Sequence, residues 1–349
     1  MRKVLAVALC ASIAAPAAGP VVARTVYDEA WAWCVGADNA SPTHRAEGCT
    51  WLIRYGDQKG KDLASAFLNF GQARQDTRNT AVALASYERA IQLDPRGAGG
   101  YASRGRLRQQ QGDHAGALAD WNQVISLEPR AGDAYNARGL VRANQGDLPG
   151  AIADYTAALR LTPRATEVLV NRGQARFETR DIKGALADYN RTLALAPGRT
   201  DALEGRGLAR LAAGNLLGAR ADFDRVLQAD PYAGPVLSSR CIARHRLGEP
   251  RAAEDCEAGV ATALPQTAWP HAARAGLRLM TNDLPGARAD LVEALRRAPD
   301  DAATMQLRAV LRARLGDAAG AAADTQAARA IQPQVEARVA EIFGAGLAR

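Results

Sequence analysis

Eight prolines set the frame of this chain. Pro95, Pro129, Pro163, Pro197, Pro231, Pro265, Pro299 and Pro333 follow one another every 34 residues, with no insertion. Self-similarity at that period marks an array of stacked helical hairpins, in which each unit buries its apolar face only against its neighbours. The blocks run 64–97, 98–131, 132–165, 166–199, 200–233, 234–267, 268–301 and 302–335. At 349 residues one compact domain would be unusual, but an open array sets no such limit.

The third block shows the unit. Tyr135, Gly139 and Leu140 fall on a helical pattern that ends at Gly146, and Asp147 follows. Glycine suits the left-handed turn that ends a helix. Aspartate caps the next helix, because its carboxylate accepts a backbone N–H that would otherwise lack a partner. The pair recurs as Gly112-Asp113 and Gly316-Asp317, and in altered form as Gly214-Asn215, Gly248-Glu249, Asn282-Asp283 and Arg180-Asp181. The second helix carries Ala151, Tyr155 and Ala158 at i, i+4 and i+7, one face of a helix. Pro163 then stops it. Gly139 and Ala151 both lack bulk and are expected to face each other across the hairpin. The aromatic slot reads Tyr87, Trp121, Tyr155, Tyr189 and Phe223, then Glu257, Leu291 and Thr325.

Small residue, small residue, aromatic, alanine and proline at these spacings resemble the tetratricopeptide repeat family over 64–335, and the front of the chain resembles its exported bacterial members. The resemblance implies an all-α fold, an α-solenoid of helix-turn-helix repeats forming a right-handed superhelix. It also implies that the first helix of each hairpin lines a concave groove that takes up a peptide or protein segment. Carried over slot by slot, the groove residues are Arg106, Gln109 and Gln110 in block two, Asn136 and Asn144 in block three, and Gln174 and Phe177 in block four. Leu208 and Leu211 follow in block five, His245 in block six, and Trp269, Leu279 and Met280 in block seven. Such a groove is polar early and apolar late. Side-chain amides can bond a peptide backbone as donor and acceptor, and the late apolar residues supply an anchor.

An arginine series precedes the small residue of the first helix: Arg104, Arg138, Arg172, Arg206, Arg240, Arg274 and Arg308. A second-helix slot reads Asp120, Asp154, Asp188, Asp222, Cys256, Asp290 and Asp324. Block one has Phe70 and Ser86 at these two slots and so lacks both charges. Antiparallel packing places the slots side by side, so the pairs read as structural: Arg104 with Asp120, Arg138 with Asp154, Arg172 with Asp188, Arg206 with Asp222, Arg274 with Asp290 and Arg308 with Asp324. In block six Asp255 lies next to Cys256. A basic stripe for nucleic acid is the rival reading. The accompanying carboxylates and an export signal weigh against it.

That signal is Met1-Arg-Lys followed by a short apolar run and small residues, the layout of a secretory leader over 1–23 with cleavage after Ala23, Ala18 being the alternative site. The run is too short to span a membrane comfortably, so the mature chain should carry no integral span. Removing Arg2 and Lys3 lowers the net charge from +7 to +5, a mild excess. Beyond the leader stand Cys34, Cys49, Cys241 and Cys256, in two pairs each 15 residues apart. Cys241 occupies the small slot of block six and Cys256 its Asp slot; phasing the segment before the repeats on Ala46 puts Cys34 and Cys49 in those same two slots. Two disulfides are expected, each stapling the two helices of a hairpin, in a periplasmic or secreted protein. Segment 24–63 then reads as a degenerate capping hairpin built on Tyr27, Trp31, Trp33, Trp51, Leu52 and Ile53. The stripe Val335, Val339 and Ile342 reads as a terminal capping helix over 336–349 that covers the last repeat.

No chemistry emerges. His44, His114, His245 and His271 stand in no metal spacing, and no nucleophile elbow, phosphate loop or dinucleotide glycine pattern is present. No catalytic residue, metal or cofactor is assigned. The reading is a non-enzymatic scaffold of the cell envelope whose partner is a protein or peptide, with no nucleic acid. An accessory subunit of an envelope complex, binding through its convex face or caps, is the alternative.

Overall fold

The structure, a computed structural model, describes residues 20–344 and Leu347. It is helical throughout apart from turns, with no strand among the described residues. Most of the expected leader, residues 1–19, lies outside the described residues. The chain divides into two compact units, one up to Val141 and one from Arg142.

The first unit opens with α1 (Pro20–Cys34) and α2 (Pro42–Tyr55), a hairpin ahead of the repeats. Cys34 and Cys49 are joined across it, S–S 2.10 Å. Ala30, Leu52 and the disulfide pack with Tyr27, Trp31, Trp51 and Ile53. Trp33 stands apart from that cluster and stacks on His44, ring centroids 5.3 Å apart. The repeats begin with α3 (Gly60–Asp76) and α4 (Thr80–Leu93), then α5 (Ala98–Gln110) and α6 (His114–Leu127). Helix α7 (Gly132–Asn144) contains the division.

The second unit continues at the same period. It holds α8 (Leu148–Leu161), α9 (Thr166–Glu178), α10 (Ile182–Leu195), α11 (Thr200–Ala212) and α12 (Leu216–Ala229). Then come α13 (Gly234–Arg246), α14 (Ala252–Ala261), α15 (Trp269–Met280), α16 (Leu284–Arg297), α17 (Ala302–Arg314), α18 (Ala318–Ile331) and α19 (Val335–Phe343).

The turn chemistry accounts for the hairpins. Asp113, Asp147, Asp181, Asn215, Asp283 and Asp317 each accept the backbone N–H three residues on, at 2.8–3.0 Å. That residue is glycine in all six cases, and a Cβ at Gly150 would lie 2.1 Å from Oδ2 of Asp147, the carboxylate oxygen beside the capping one. Repeat six departs from the rule. Its Glu249 pairs with Arg220 and Arg244 and caps nothing. Helix α14 therefore starts late, without a side-chain cap, and has 10 residues where its counterparts have 14.

In repeats one, two, four and five the small slot lies against the aromatic ring. A Cβ on Gly71 would sit 2.5 Å from Tyr87 and 3.2 Å from the carbonyl oxygen of Ala83; on Gly207 it would sit 2.5 Å from Phe223. Tyr87, Tyr155 and Phe223 are fully enclosed. In repeat six the disulfide Cys241–Cys256, S–S 2.01 Å, joins α13 to α14 in that place.

Helix α19 does not simply roof the last hairpin. It touches that hairpin through α17, but it also lies against α13 and α11. The apolar stripe explains the turn inward: Val335, Val339, Ile342 and Phe343 are all buried in one cluster with residues of α9 to α18. Beside the last hairpin a depression of about 670 Å3 remains, bordered by Gln306, Val310, Ala313, Ala321, Thr325 and Leu347.

Candidate binding surface

The arginine and aspartate slots meet as an ionic lattice, with one arginine more per repeat than the sequence reading assigned. In repeat four Arg172 donates to both oxygens of Asp188 (2.7 and 2.9 Å), and Arg176, one turn on, donates to the same carboxylate at 2.7 Å. Repeats two, five, seven and eight repeat this with Arg104, Arg108 and Asp120; Arg206, Arg210 and Asp222; Arg274, Arg278 and Asp290; and Arg308, Arg312 and Asp324. In repeat three Arg142 binds Asp154 at 2.9 Å, and Arg138 donates to Asn122 at 2.7 Å. In repeat six Asp255 replaces the cysteine slot and takes Arg240 and Arg244, at 2.7 and 2.8 Å. Each aspartate is at most 5% exposed. A buried carboxylate needs this much compensation, and two guanidinium groups supply it. The second arginine also donates to a first-turn carbonyl of the hairpin's second helix, as Arg176 does to Gly184, 3.4 Å away. These arginines are committed to the hairpins. They do not form a free basic stripe.

The slots expected to receive a partner behave differently along the chain. In the first unit Arg106 and Gln110 are exposed and Gln109 is half-buried. Gln75 donates to Gln110 at 3.1 Å and accepts from the Tyr87 hydroxyl at 2.8 Å. Burial and the nearby Asp76 push that hydroxyl up to about 12. Asn136 is half-buried and Asn144 exposed. In the second unit Gln174 is exposed and donates to Glu178 at 3.2 Å.

The apolar slots are occupied. Leu211 and Leu279 have no exposed surface, so they are not the accessible groove residues that the sequence reading expects. They belong to the cluster that holds the stripe of α19, and Phe177, Leu208, Trp269 and Met280 pack against that cluster. The chain supplies its own apolar cover, which shields Leu211 and Leu279 from water fully and the other four in part.

Polar contacts fasten the same helix. Arg246 donates to the carbonyl oxygens of Glu341 (2.7 Å) and Ile342 (3.0 Å), the unsatisfied last carbonyls of α19, and to that of Leu211 (3.2 Å). Burial draws the Arg246 guanidinium below its ordinary value, yet it stays a cation at neutral pH. Its neighbour His245, half-buried on the same turn, is lowered by burial. Arg180 pairs with Glu341. Arg338 lies over the Phe177 ring, 5.6 Å from its centroid. Arg314 donates to the carbonyl of Leu347 at 3.1 Å.

Two residues of this surface escaped the sequence reading. Gly276 occupies the slot held elsewhere by Arg106, Gln174, Leu208, Ile242 and Val310; a Cβ there would lie 2.1 Å from the Phe343 ring. The ring also meets Trp269, centroids 6.2 Å apart. Arg180 stands where five repeats have glycine, with φ of 67°. A left-handed backbone costs a non-glycine residue about 1–2 kcal/mol. Arg78 and Asn282 share that geometry, but Arg180 is the one whose side chain reaches α19.

Sequence profiles of the tetratricopeptide repeat match residues 64–96, 102–166 and 170–234. The chain is a tetratricopeptide repeat protein. Its fold is similar to that of a tetratricopeptide repeat protein from Parabacteroides merdae, at 19% identity and a TM-score of 0.60, over 70% of this chain and 96% of that one. It is also similar to PilW, described as a widely conserved type IV pilus biogenesis factor, at 20% identity and a TM-score of 0.51, over 56% of this chain and 91% of that one. No curated protein sequence matches. Proteins of the repeat family mediate protein–protein interaction. No helix among the described residues is long and apolar enough to cross a membrane, and no three His, Cys, Asp or Glu among them converge on a metal position.

Proposed function

We propose that this tetratricopeptide repeat protein is a non-enzymatic scaffold of the cell envelope that binds a protein or peptide segment on its first-helix face. One observation carries the reading: in the second unit that face already holds a helix, α19, by burying its apolar stripe and bonding its last carbonyls. A surface with those properties recognises polypeptide. The two disulfides favour an oxidising compartment, and a leader removed after Ala23 would deliver the chain there.

Two measurements test this. The intact mass of the protein recovered from its native cells without reductant should equal a chain starting at Arg24 with four fewer hydrogens. A mass that retains the leader, or four free thiols, removes the envelope assignment. Crosslinking in those cells, followed by affinity capture, should yield a partner that is lost on Gln109→Ala with Arg106→Ala or on Trp269→Ala. Capture unaffected by all of these, but lost on Trp31→Ala, would favour binding through the cap or convex face.

A further inference from the structure

Helix α19 is held in the way a bound ligand is held. Its cover of the first-helix face is a single stripe, Val335, Val339, Ile342 and Phe343, all buried. Two of its fastenings, from Arg246 to the carbonyls of Glu341 and Ile342, are to backbone, so any helix ending at that point could accept them. A third, from Arg180 to Glu341, asks only for a carboxylate. The recess for Phe343 exists because Gly276 has no side chain. The repeat array does not need α19 to close a hairpin: every block from 64 to 335 has its two helices without it. At nine residues α19 is too short to be stable as an isolated helix, so it is helical only while it is docked.

We propose that α19 is the resident occupant of a helix-binding site, and that the partner of this face is a protein bearing an amphipathic helix that displaces it. The chemistry of the site specifies that helix. It carries aliphatic residues at i, i+4 and i+7, an aromatic at i+8 and an acidic residue at i+6, and it ends near the aromatic so that Arg246 meets its last carbonyls. The inference rests on the first-helix face being the binding face, and it adds what binds there and what holds the site closed. If α19 leaves the site in about 1% of molecules, an outside helix binds the whole population about 100-fold more weakly than the open form.

The probe is a fluorescein-labelled peptide of residues 333–347, titrated against the full chain by fluorescence anisotropy. Val339→Asp with Phe343→Ser loosens α19 and leaves the receiving face intact. This variant should bind the peptide at least about tenfold more tightly than the unaltered chain, with one site per chain. Equal affinity in a variant with unchanged helical content overturns the proposal. Should that pair disturb folding, Glu341→Arg serves instead: it should also strengthen binding of the peptide, and a peptide carrying Glu341→Arg should bind this variant more weakly than the unaltered peptide does, because it lacks the carboxylate that Arg180 takes. No change in either variant counts against displacement. In the unaltered chain, amide hydrogens of α19 should exchange at least about tenfold faster than those of α17, and matched rates would make α19 a fixed part of the core. Peptide binding by the opened variant with no partner captured from cells leaves the helix-binding site standing and removes the scaffold reading. Partner capture without peptide binding does the reverse.

Discussion

Repeats one and two, in the first unit, and repeats four to eight, in the second, share a backbone plan and differ in what their first helices present. In repeats one and two the slots that should meet a partner hold Gln72, Gln75, Arg106, Gln109 and Gln110; Gln75 donates to Gln110, Gln72 donates to Asp76, and Arg106 and Gln110 are exposed. The buried apolar groups there form small local clusters, such as Ala83, Tyr87 and Leu107. In the second unit the equivalent slots include Phe177, Leu208, Leu211, Leu279 and Met280, and one cluster runs from Val170 to Leu347. The internal ionic lattice is the same in both, as Asp120 and Asp222 show. The hairpin interior therefore sets the architecture, and the outward slots set what each stretch of the array can hold. Where they are polar the face is left to solvent. Where they are apolar it draws in α19.

Four measurements could break or sharpen that contrast. The largest effect is expected from Leu211→Ala, which empties a fully buried position: about 2–5 kcal/mol of stability by urea unfolding. The slot-equivalent Gln109→Ala should stay within about 0.5 kcal/mol. Similar losses at both positions would mean that the two faces are equally buried in solution. Next, removing Cys34–Cys49 or Cys241–Cys256 as paired alanine substitutions should cost on the order of 3 kcal/mol each, because both bonds close loops of equal size. A large inequality would show that one hairpin is pinned by its neighbours and the other by its bond. Third, Gly276→Ala drives a methyl into the Phe343 ring and should cost about 1–3 kcal/mol. The loss should appear as faster hydrogen exchange confined to α19, whereas protection lost equally from α15 and α16 would place the strain in the hairpin. The smallest is Asp113→Ala, the loss of one N-cap, at about 1 kcal/mol, read as fraying of α6 alone.

Much of this was legible beforehand. Proline spacing, the Gly-Asp turn and the aromatic slot are local or strictly periodic signals, and each block repeats them, so the hairpins could be placed from sequence. The Cys pairs were legible for the same reason, since equivalent slots imply equivalent neighbours. The second arginine of each lattice was equally visible as Arg108, Arg142, Arg176, Arg210, Arg244, Arg278 and Arg312, but its meaning depends on a shared carboxylate that only the packed hairpin displays. The stripe of α19 could be read; its destination could not. Docking it beside Phe177 and Arg180 joins residues about 160 positions apart, as in the Arg180–Glu341 pair with a separation of 161, and no period links them. The hint lay in Gly276 and in the leucines at 211 and 279, which an outward-facing surface would not otherwise keep.

The two sulfur bridges also bear on how this molecule would respond to pulling. Stretched by its ends, a linear stack of hairpins peels one rung at a time, each adding its full chain length to the trace. The segments between Cys34 and Cys49 and between Cys241 and Cys256 cannot be drawn out, so each of those two rungs should come up short by about 50 Å, taking 15 residues at about 3.3–3.6 Å apiece. Adding a reductant should restore both missing lengths and so mark, in a single-molecule record, where along the stack each rung gave way.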